Sequence, residues 1–357
     1  MSADIPTQFT GYAATTEEAG KRLELEQWSY TPQKWSEDDV DIKVDCCGVC
    51  GSCIHVLTNG WPSPTQYPAI VGHEIIGTVV RAGSNTKHKV GDRVGVGAQA
   101  GSCRECEYCL AGKEQFCNKG QISTYQGKWP DGTIAQGGYA NYTRVNGKLA
   151  IKIPESLKSE EVAPLLCAGV TVYSPLRRFH AGPGKKVGII GIGGLGHLAL
   201  QISNALGAET YALSHSDKKV GDADKLGVHP DHFIVYKDIE ATVAKWARTF
   251  DLILCTSSAN PAIESLLFKL LRPEGTLVLC GLPEDKLPAM YGHALVVKSV
   301  SLAGSFIGGT VEIEELLELA VKHDIKAWVE TRPMSAATQT VQDMHAGKAR
   351  YRYVLKN

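Results

Sequence analysis

The most regular pattern in the chain lies between Lys185 and about residue 305, where short apolar runs alternate with stretches of helical periodicity. KVGII is an apolar run of strand length, and GIGGLG follows it, opening the helical HLALQISNALG. ETYALS reads as the next strand and DKKVGDADKLG as a helix closed by Gly227. FIVY, IEATVAKWAR, FDLILCT, PAIESLLFKLL and GTLVLCG continue the alternation. That order predicts a parallel sheet with helices on both faces. Residues 1–150 differ in texture: short runs such as DIKV and GTVV sit between Gly-rich turns, predicting a β-rich region. Beyond 305 only one strong helix, EIEELLELAVKHD, and a strand-like YRYVLK remain. That piece is too small to be a domain and is expected to return to the first one. The expectation is an α/β protein with a doubly wound parallel-sheet domain over 166–304. A β-rich domain is expected from 1–165 and 305–357.

Composition narrows the function classes. The chain has 357 residues, 43% apolar and 21% charged, ordinary for a soluble globular protein of about two domains. Lys and Arg number 37 against 38 Asp and Glu, so no global basic field gathers nucleic acid or anionic lipid. No apolar run approaches the roughly 18 residues of a membrane span. The first residues lack the basic start and apolar run of a secretory signal. Nucleic-acid and membrane partners are therefore not expected.

Eleven cysteines are too few for a disulfide scaffold, and eight of them lie between residues 46 and 117. An odd count, clustering and no signal favour metal ligation in a reducing compartment, the cytoplasm. Cys103, Cys106, Cys109 and Cys117 (CRECEYCLAGKEQFC) carry the sharpest signal. Two-residue gaps let thiolates converge from a tight turn, and the fourth closes a tetrahedral sulfur cage suited to structural zinc. The run does not match the ferredoxin spacings of an iron–sulfur site. A second set is dispersed: Cys50 in GVCGS, His73 and Glu74 in VGHEIIG, and Cys167 in LLCAGVTVY. As a Cys, His, Cys set beside a carboxylate it has the composition of a catalytic zinc site with one open position. Taken singly, each residue equally suits ordinary core packing or hydrogen bonding, and spacing leaves both readings open.

Gly191, Gly193, Gly194, Leu195 and Gly196 form GIGGLG directly after a predicted strand and before a predicted helix. Such glycines permit a tight turn and close approach of a pyrophosphate to a helix N-terminus. Twenty-three residues after Gly191, at the end of ETYALS, stands Ser214 where a carboxylate usually meets the ribose 2′-hydroxyl. His215, Ser216, Lys218 and Lys219 follow, and hydroxyl and cationic groups suit a 2′-phosphate instead.

Taken together, GVCGS, GHEIIGTVVRAGSNTKHKVGDRVGVG, the four-cysteine lobe, QGGYA, PLLCAGVTVYSPL and GIGGLGH resemble the zinc-dependent medium-chain alcohol dehydrogenases. Within them the likeness is to the cinnamyl alcohol dehydrogenase-like NADP enzymes, and it covers nearly the whole chain. The resemblance implies a partly open, GroES-like β-barrel domain bearing two zincs per chain, beside a dinucleotide-binding domain. It implies that Cys50, His73 and Cys167 hold catalytic zinc, with Glu74 as an exchangeable ligand. Ser52 and then His55 would relay the proton, and Thr171 would join the glycine loop in binding NADP(H). It further implies reversible oxidation of a primary alcohol, aromatic or medium-chain aliphatic, to its aldehyde, and a homodimer. Trp61 and Phe306 match aromatic pocket positions, while Ile122 stands where plant members often carry a second Trp. Cys53 replaces the Asp that normally orients the zinc-bound imidazole, and a thiol is a poorer orienter. That departure supports a competing reading: a non-catalytic protein sensing NADPH or redox state through Cys50 and Cys53.

Overall fold

The computed structural model describes residues 5–257, 262–282 and 286–357. They divide into two units. The first comprises Met1–Cys167, Gly308–Val321 and Lys326–Asn357. Its main sheet runs Ala150–Lys152, Arg93–Val96, Ile75–Ala82, Asp39–Gly48, Arg352–Lys356, Val329–Pro333. Asp39–Gly48 organises this sheet, pairing antiparallel with Ile75–Ala82, Tyr142–Asn146 and the C-terminal strand. Its pairing with Ile75–Ala82 shifts register twice, between Asp41 and Ile42 and between Val44 and Cys46. Such irregularities bend and twist a strand, letting one ten-residue segment serve three partners. The chain end is locked by register: Val354 lies opposite Gly48, and Val49 N–H donates to the Tyr353 carbonyl. A smaller sheet of Glu26–Tyr30, Phe9–Ala14 and Ala69–Ile70 completes the β-rich unit. Phe9, Ile42, Ile70, Ile75, Tyr139 and Tyr353 lie in its fully buried core.

The second unit comprises Ala168–Ile307 and Lys322–Ile325. Its six strands run Phe233–Val235, Glu209–Ser214, Lys186–Ile190, Phe250–Cys255, Leu271–Leu279, Ser301–Gly304. Numbered in chain order, that is 3-2-1-4-5-6, the doubly wound dinucleotide-binding topology. Every adjacent pair is parallel. Parallel strands are covered on both faces, which is why KVGII and FDLILC read as continuous apolar runs instead of alternating ones. Two elements go beyond what the sequence pattern predicts: the strand Ser301–Gly304 and the helix His293–Val296. SLAG is made of small residues at the sheet edge, and pairing with Leu271–Leu279 makes it a strand. PAIESLLFKLL does not form one regular helix. It makes a wide π-type turn over Ile263–Leu267 followed by Phe268–Leu270, and Pro261, where the predicted helix begins, lies outside the described residues. No helix among the described residues is long and apolar enough to cross a membrane.

Candidate active site

Four donors converge in the first unit. Cys50 stands in extended conformation at the head of the helix Gly51–Leu57, and Cys167 terminates the turn Ala163–Leu166. His73 and Glu74 immediately precede the strand Ile75–Ala82. One ligand atom from each of Cys50, His73, Glu74 and Cys167 lies within 4.8 Å of the others, and all four residues are buried. The sulfurs of Cys50 and Cys167 are 3.8 Å apart. Two thiolates each about 2.3 Å from one tetrahedral zinc stand about 3.8 Å apart, so the pair is set for a shared metal. His73 Nε2 and Glu74 Oε2 are buried with no hydrogen-bond partner among the described residues. Buried polar atoms without partners are rare, and a cation between them accounts for both. The hydrogen bond with Cys167 holds the Cys50 thiol well below its usual pKa, overcoming burial, and the adjacent His73 adds to the effect. The donors fit zinc.

Glu74 is also held from behind. Arg352, 1% exposed, donates through Nη2 to Glu74 Oε1, and Glu74 itself has no exposure. A side chain at Gly48 would place its Cβ 1.9 Å from Glu74 Oε2, so glycine there makes room for the carboxylate. Ser52 lies two residues beyond Cys50, with its Oγ 3.7 Å from the Cys50 sulfur. His55 follows on the same helix at the three-residue spacing that shares a face. Its ring stacks on Trp61, centroids 5.2 Å apart and planes 18° from parallel. Tyr125 stacks on His73 at 5.2 Å and 7° and donates its O–H to the Cys53 sulfur at 3.9 Å. Cys53 lies outside the converging donors, and burial pushes its thiol up to about 12, so it stays protonated at neutral pH.

The four-cysteine lobe forms the second donor cluster, with sulfurs within 4.8 Å of one another. Cys103 and Cys109 sulfurs are 3.8 Å apart. Backbone N–H groups aim at the sulfurs, from Cys103 to Cys117 at 3.4 Å and from Asn118 to Cys106 at 3.5 Å. The Asn118 N–H, with the Cys109 N–H after it, brings the Cys106 thiol down to about 6. Gly112 turns the lobe at φ +67°, where an added Cβ would also meet the Val311 side chain at 2.3 Å.

In the second unit the glycine loop joins Lys186–Ile190 to the helix Gly196–Ala205, beside the point where strand order reverses. Gly191 has φ +88°, and a Cβ at Gly196 would lie 1.7 Å from the Gly191 carbonyl oxygen. A Cβ at Gly193 would meet nothing within 4 Å, leaving the backbone there open to a phosphate. Ser214 ends the strand Glu209–Ser214, and its Oγ accepts from Ser216 N–H at 3.4 Å. His215 is exposed and meets Tyr236 edge-on. Lys219 reaches back so that Nζ donates to the Ile192 carbonyl inside the loop. Thr171 is buried on the helix Ala168–Arg178.

Of the proposed pocket residues, Trp61 and Ile122 both pack against the core of the first unit. Trp61 lies against His55, whereas Ile122 lines a cavity of about 340 Å³ with Trp35, Asp39 and Trp129, and Trp61 is not part of that lining. Phe306 is 41% exposed and belongs to the second unit. Four residues in contact with these sites are not evident from sequence. They are Arg352 and Tyr125, together with His197 and Thr256, which bond the glycine-loop carbonyls of Gly193 and Gly191. A lone cation inside the apolar YRYVL and a His directly after GIGGLG are the only signals that point to any of them.

A doubly wound sheet with an open glycine loop, and a β-rich unit with one closed and one mixed donor cluster, define a zinc-type dehydrogenase. Residues 36–155 match the alcohol dehydrogenase GroES-like domain and residues 194–322 the zinc-binding dehydrogenase domain. The NADP-dependent alcohol dehydrogenase 6 of Saccharomyces cerevisiae is 42% identical across 98% of this chain and 97% of its own. A cinnamyl alcohol dehydrogenase of Sorghum bicolor superposes with a TM-score of 0.90 at 34% identity, covering 98% of this chain and 97% of that one. The Helicobacter pylori enzyme solved with NADP(H) gives 0.88 at 31% identity, with 99% of both chains covered. The chain belongs to the zinc-binding alcohol dehydrogenase family.

Proposed function

We propose that this enzyme transfers hydride reversibly between NADP(H) and a primary alcohol or its aldehyde, of aromatic or medium-chain aliphatic type. The observation that carries the reading is the convergence of Cys50, His73, Glu74 and Cys167 with the Ser52 hydroxyl beside them. When bound, zinc supplies a Lewis acid for the substrate oxygen and NADP(H) the hydride. Cys50, His73 and Cys167 hold the metal, and Arg352 balances the charge of Glu74. Ser52 accepts the hydroxyl proton in alcohol oxidation and returns it in aldehyde reduction, while His55 exchanges it with solvent. Trp61, Ile122 and Phe306 are assigned to substrate selection. Cys103, Cys106, Cys109 and Cys117 hold a second, structural zinc.

For the cofactor, Gly191, Gly193, Gly194, Leu195 and Gly196 seat the pyrophosphate, and Thr171 contacts the cofactor. Ser214, His215, Ser216 and Lys219 take the 2′-phosphate. Two observations support the phosphate: Ser214 in place of a carboxylate, and Lys219 beside the loop at Ile192. Several relatives are themselves named NADP-dependent. A homodimer is supported by the edge strand Ser301–Gly304 and by the exposed apolar side chains of Tyr291, Val296 and Val297 in the same unit. None of the eleven cysteines is in a disulfide, which suits the cytoplasm.

The decisive experiment assays a panel of aromatic and aliphatic aldehydes with NADPH and counts zinc in the same preparation. Two zincs per chain with aldehyde-dependent NADPH oxidation are expected. One zinc without turnover overturns the assignment in favour of the sensor. Sedimentation tests the dimer.

A further inference from the structure

The family resemblance leaves one zinc ligand without its usual support, because Cys53 stands where an Asp would orient the imidazole. We infer that Tyr125 provides this support instead, its ring face positioning His73 for the metal. The inference rests on the proposed zinc site at Cys50, His73 and Cys167. Its geometric basis is the near-parallel stack of Tyr125 on His73, 7° between planes at 5.2 Å, with both side chains buried. An imidazole free to rotate about its side-chain torsions costs a metal site both affinity and directionality. A flat aromatic surface removes that freedom without a charge, by confining the ring to one plane.

The platform itself is rigid. Thr124 is tied by its N–H to the Ala98 carbonyl at 3.0 Å and by its hydroxyl to the Gly97 carbonyl. Gln126 bonds the Ala135 carbonyl through its own N–H, while its side chain pairs with the Gln66 backbone at 2.7 and 3.0 Å. Tyr125 is thus clamped from both sides, and its phenol reaches the completely buried Cys53. A carboxylate at position 53 would act on the ring edge; Tyr125 acts on the ring face. The two arrangements solve the same problem, so Tyr125 is a positioning residue, acting through His73.

The test is chelator competition at both zinc sites of the whole enzyme, comparing wild type with Tyr125→Phe, Tyr125→Leu and Tyr125→Met. Phenylalanine keeps the flat face, leucine removes it, and methionine fills much of its volume without flatness. Leu and Met variants are expected to bind the catalytic zinc 10–100-fold more weakly, the range typical for loss of a ligand's supporting partner. Phe is expected to stay within about threefold of wild type, with the four-cysteine zinc retained in all. The Met variant decides the matter if Leu fails to fold, since retention of the lobe zinc reports an intact chain. Wild-type affinity in a folded Leu or Met variant, or a Phe variant as weak as either, overturns the role of the ring face. A wild-type chain that never takes a second zinc instead defeats the underlying site assignment, a different result from any of these.

Discussion

Arg352 and Glu74 meet inside the β-rich unit with both side chains sealed from solvent, although 278 residues separate them in the chain. The contact exists because the C-terminal strand pairs with Asp39–Gly48, which carries Arg352 to the back of the Cys50–His73–Cys167 cluster. A buried ion pair of this kind is not itself a large source of stability, but losing one partner leaves an uncompensated buried charge.

Arg352→Met is therefore expected to destabilise the zinc-free chain by about 3–5 kcal/mol in urea unfolding at pH 8. Burial already raises the Glu74 carboxyl above its ordinary range, and removing the adjacent cation raises it further. A carboxyl whose folded pKa is raised loses stability as pH rises, so the variant should recover part of its deficit at pH 6. Equal deficits at both pH values would show that Glu74 does not carry the missing charge.

The two zinc clusters are expected to fail differently. Cys106→Ser opens a closed four-sulfur cage whose metal has only structural work, so thermal stability and one zinc should be lost together. Cys167→Ser leaves the lobe intact but disturbs a buried site beside Ser52, so turnover should fall to background with a much smaller change in melting temperature. Native stability and full zinc content in Cys106→Ser would remove the structural assignment.

The contrast in legibility follows from the same distances. KVGII and FDLILC are readable as strands because near-full burial leaves no polar face, and Gly227 closes its helix in a conformation glycine adopts freely, φ +85°. The four-cysteine lobe is readable because all its ligands lie within fifteen residues. Tyr125 is not, since nothing local distinguishes it from a turn residue, and Arg352 is marked only as a lone cation in an apolar run. Each gains its role from a partner reached only through the sheet or a clamped turn. SLAG escapes notice for the opposite reason: its side chains carry little pattern, and the neighbouring strand alone makes it regular.

Asp39 gives a pH-dependent expectation away from the metal. Its carboxyl is 5% exposed, and burial raises it to about 6, partly offset by the Ser36 N–H that it accepts and by Arg144. The folded chain thus holds this proton more tightly than the unfolded chain, whose Asp titrates near 3.9. Its contribution is fully present below about pH 4 and is lost as pH rises through about 6. Asp39→Asn keeps an acceptor for Ser36 without the charge. It should raise the melting temperature at pH 7.5 and leave it nearly unchanged at pH 4.5. A variant less stable than wild type at pH 7.5 would mean the carboxylate is favourable where it lies.

The cofactor preference turns on Ser214 and Lys219. Ser214 ends its strand with no carboxylate to repel a 2′-phosphate, and Lys219 folds back onto the glycine loop at the Ile192 carbonyl, beside the expected pyrophosphate seat. A charge-assisted hydrogen bond contributes roughly 1.5–3 kcal/mol, or about one to two decades in affinity, so NADPH should be preferred at least tenfold. If Lys219 serves only the loop, the preference should instead be small. Ser214→Asp separates these cases, because it sets an anion beside the phosphate and restores a partner for the unphosphorylated ribose. The ratio of kcat/KM for NADPH over NADH should collapse or invert in this variant, while zinc content stays at the wild-type value. Lys219→Ala should lower the ratio in the same direction without improving NADH use, since it removes a cation and adds no ribose acceptor. Equal use of both cofactors by the wild type, or an unchanged ratio in Ser214→Asp, would remove the phosphate site from this loop.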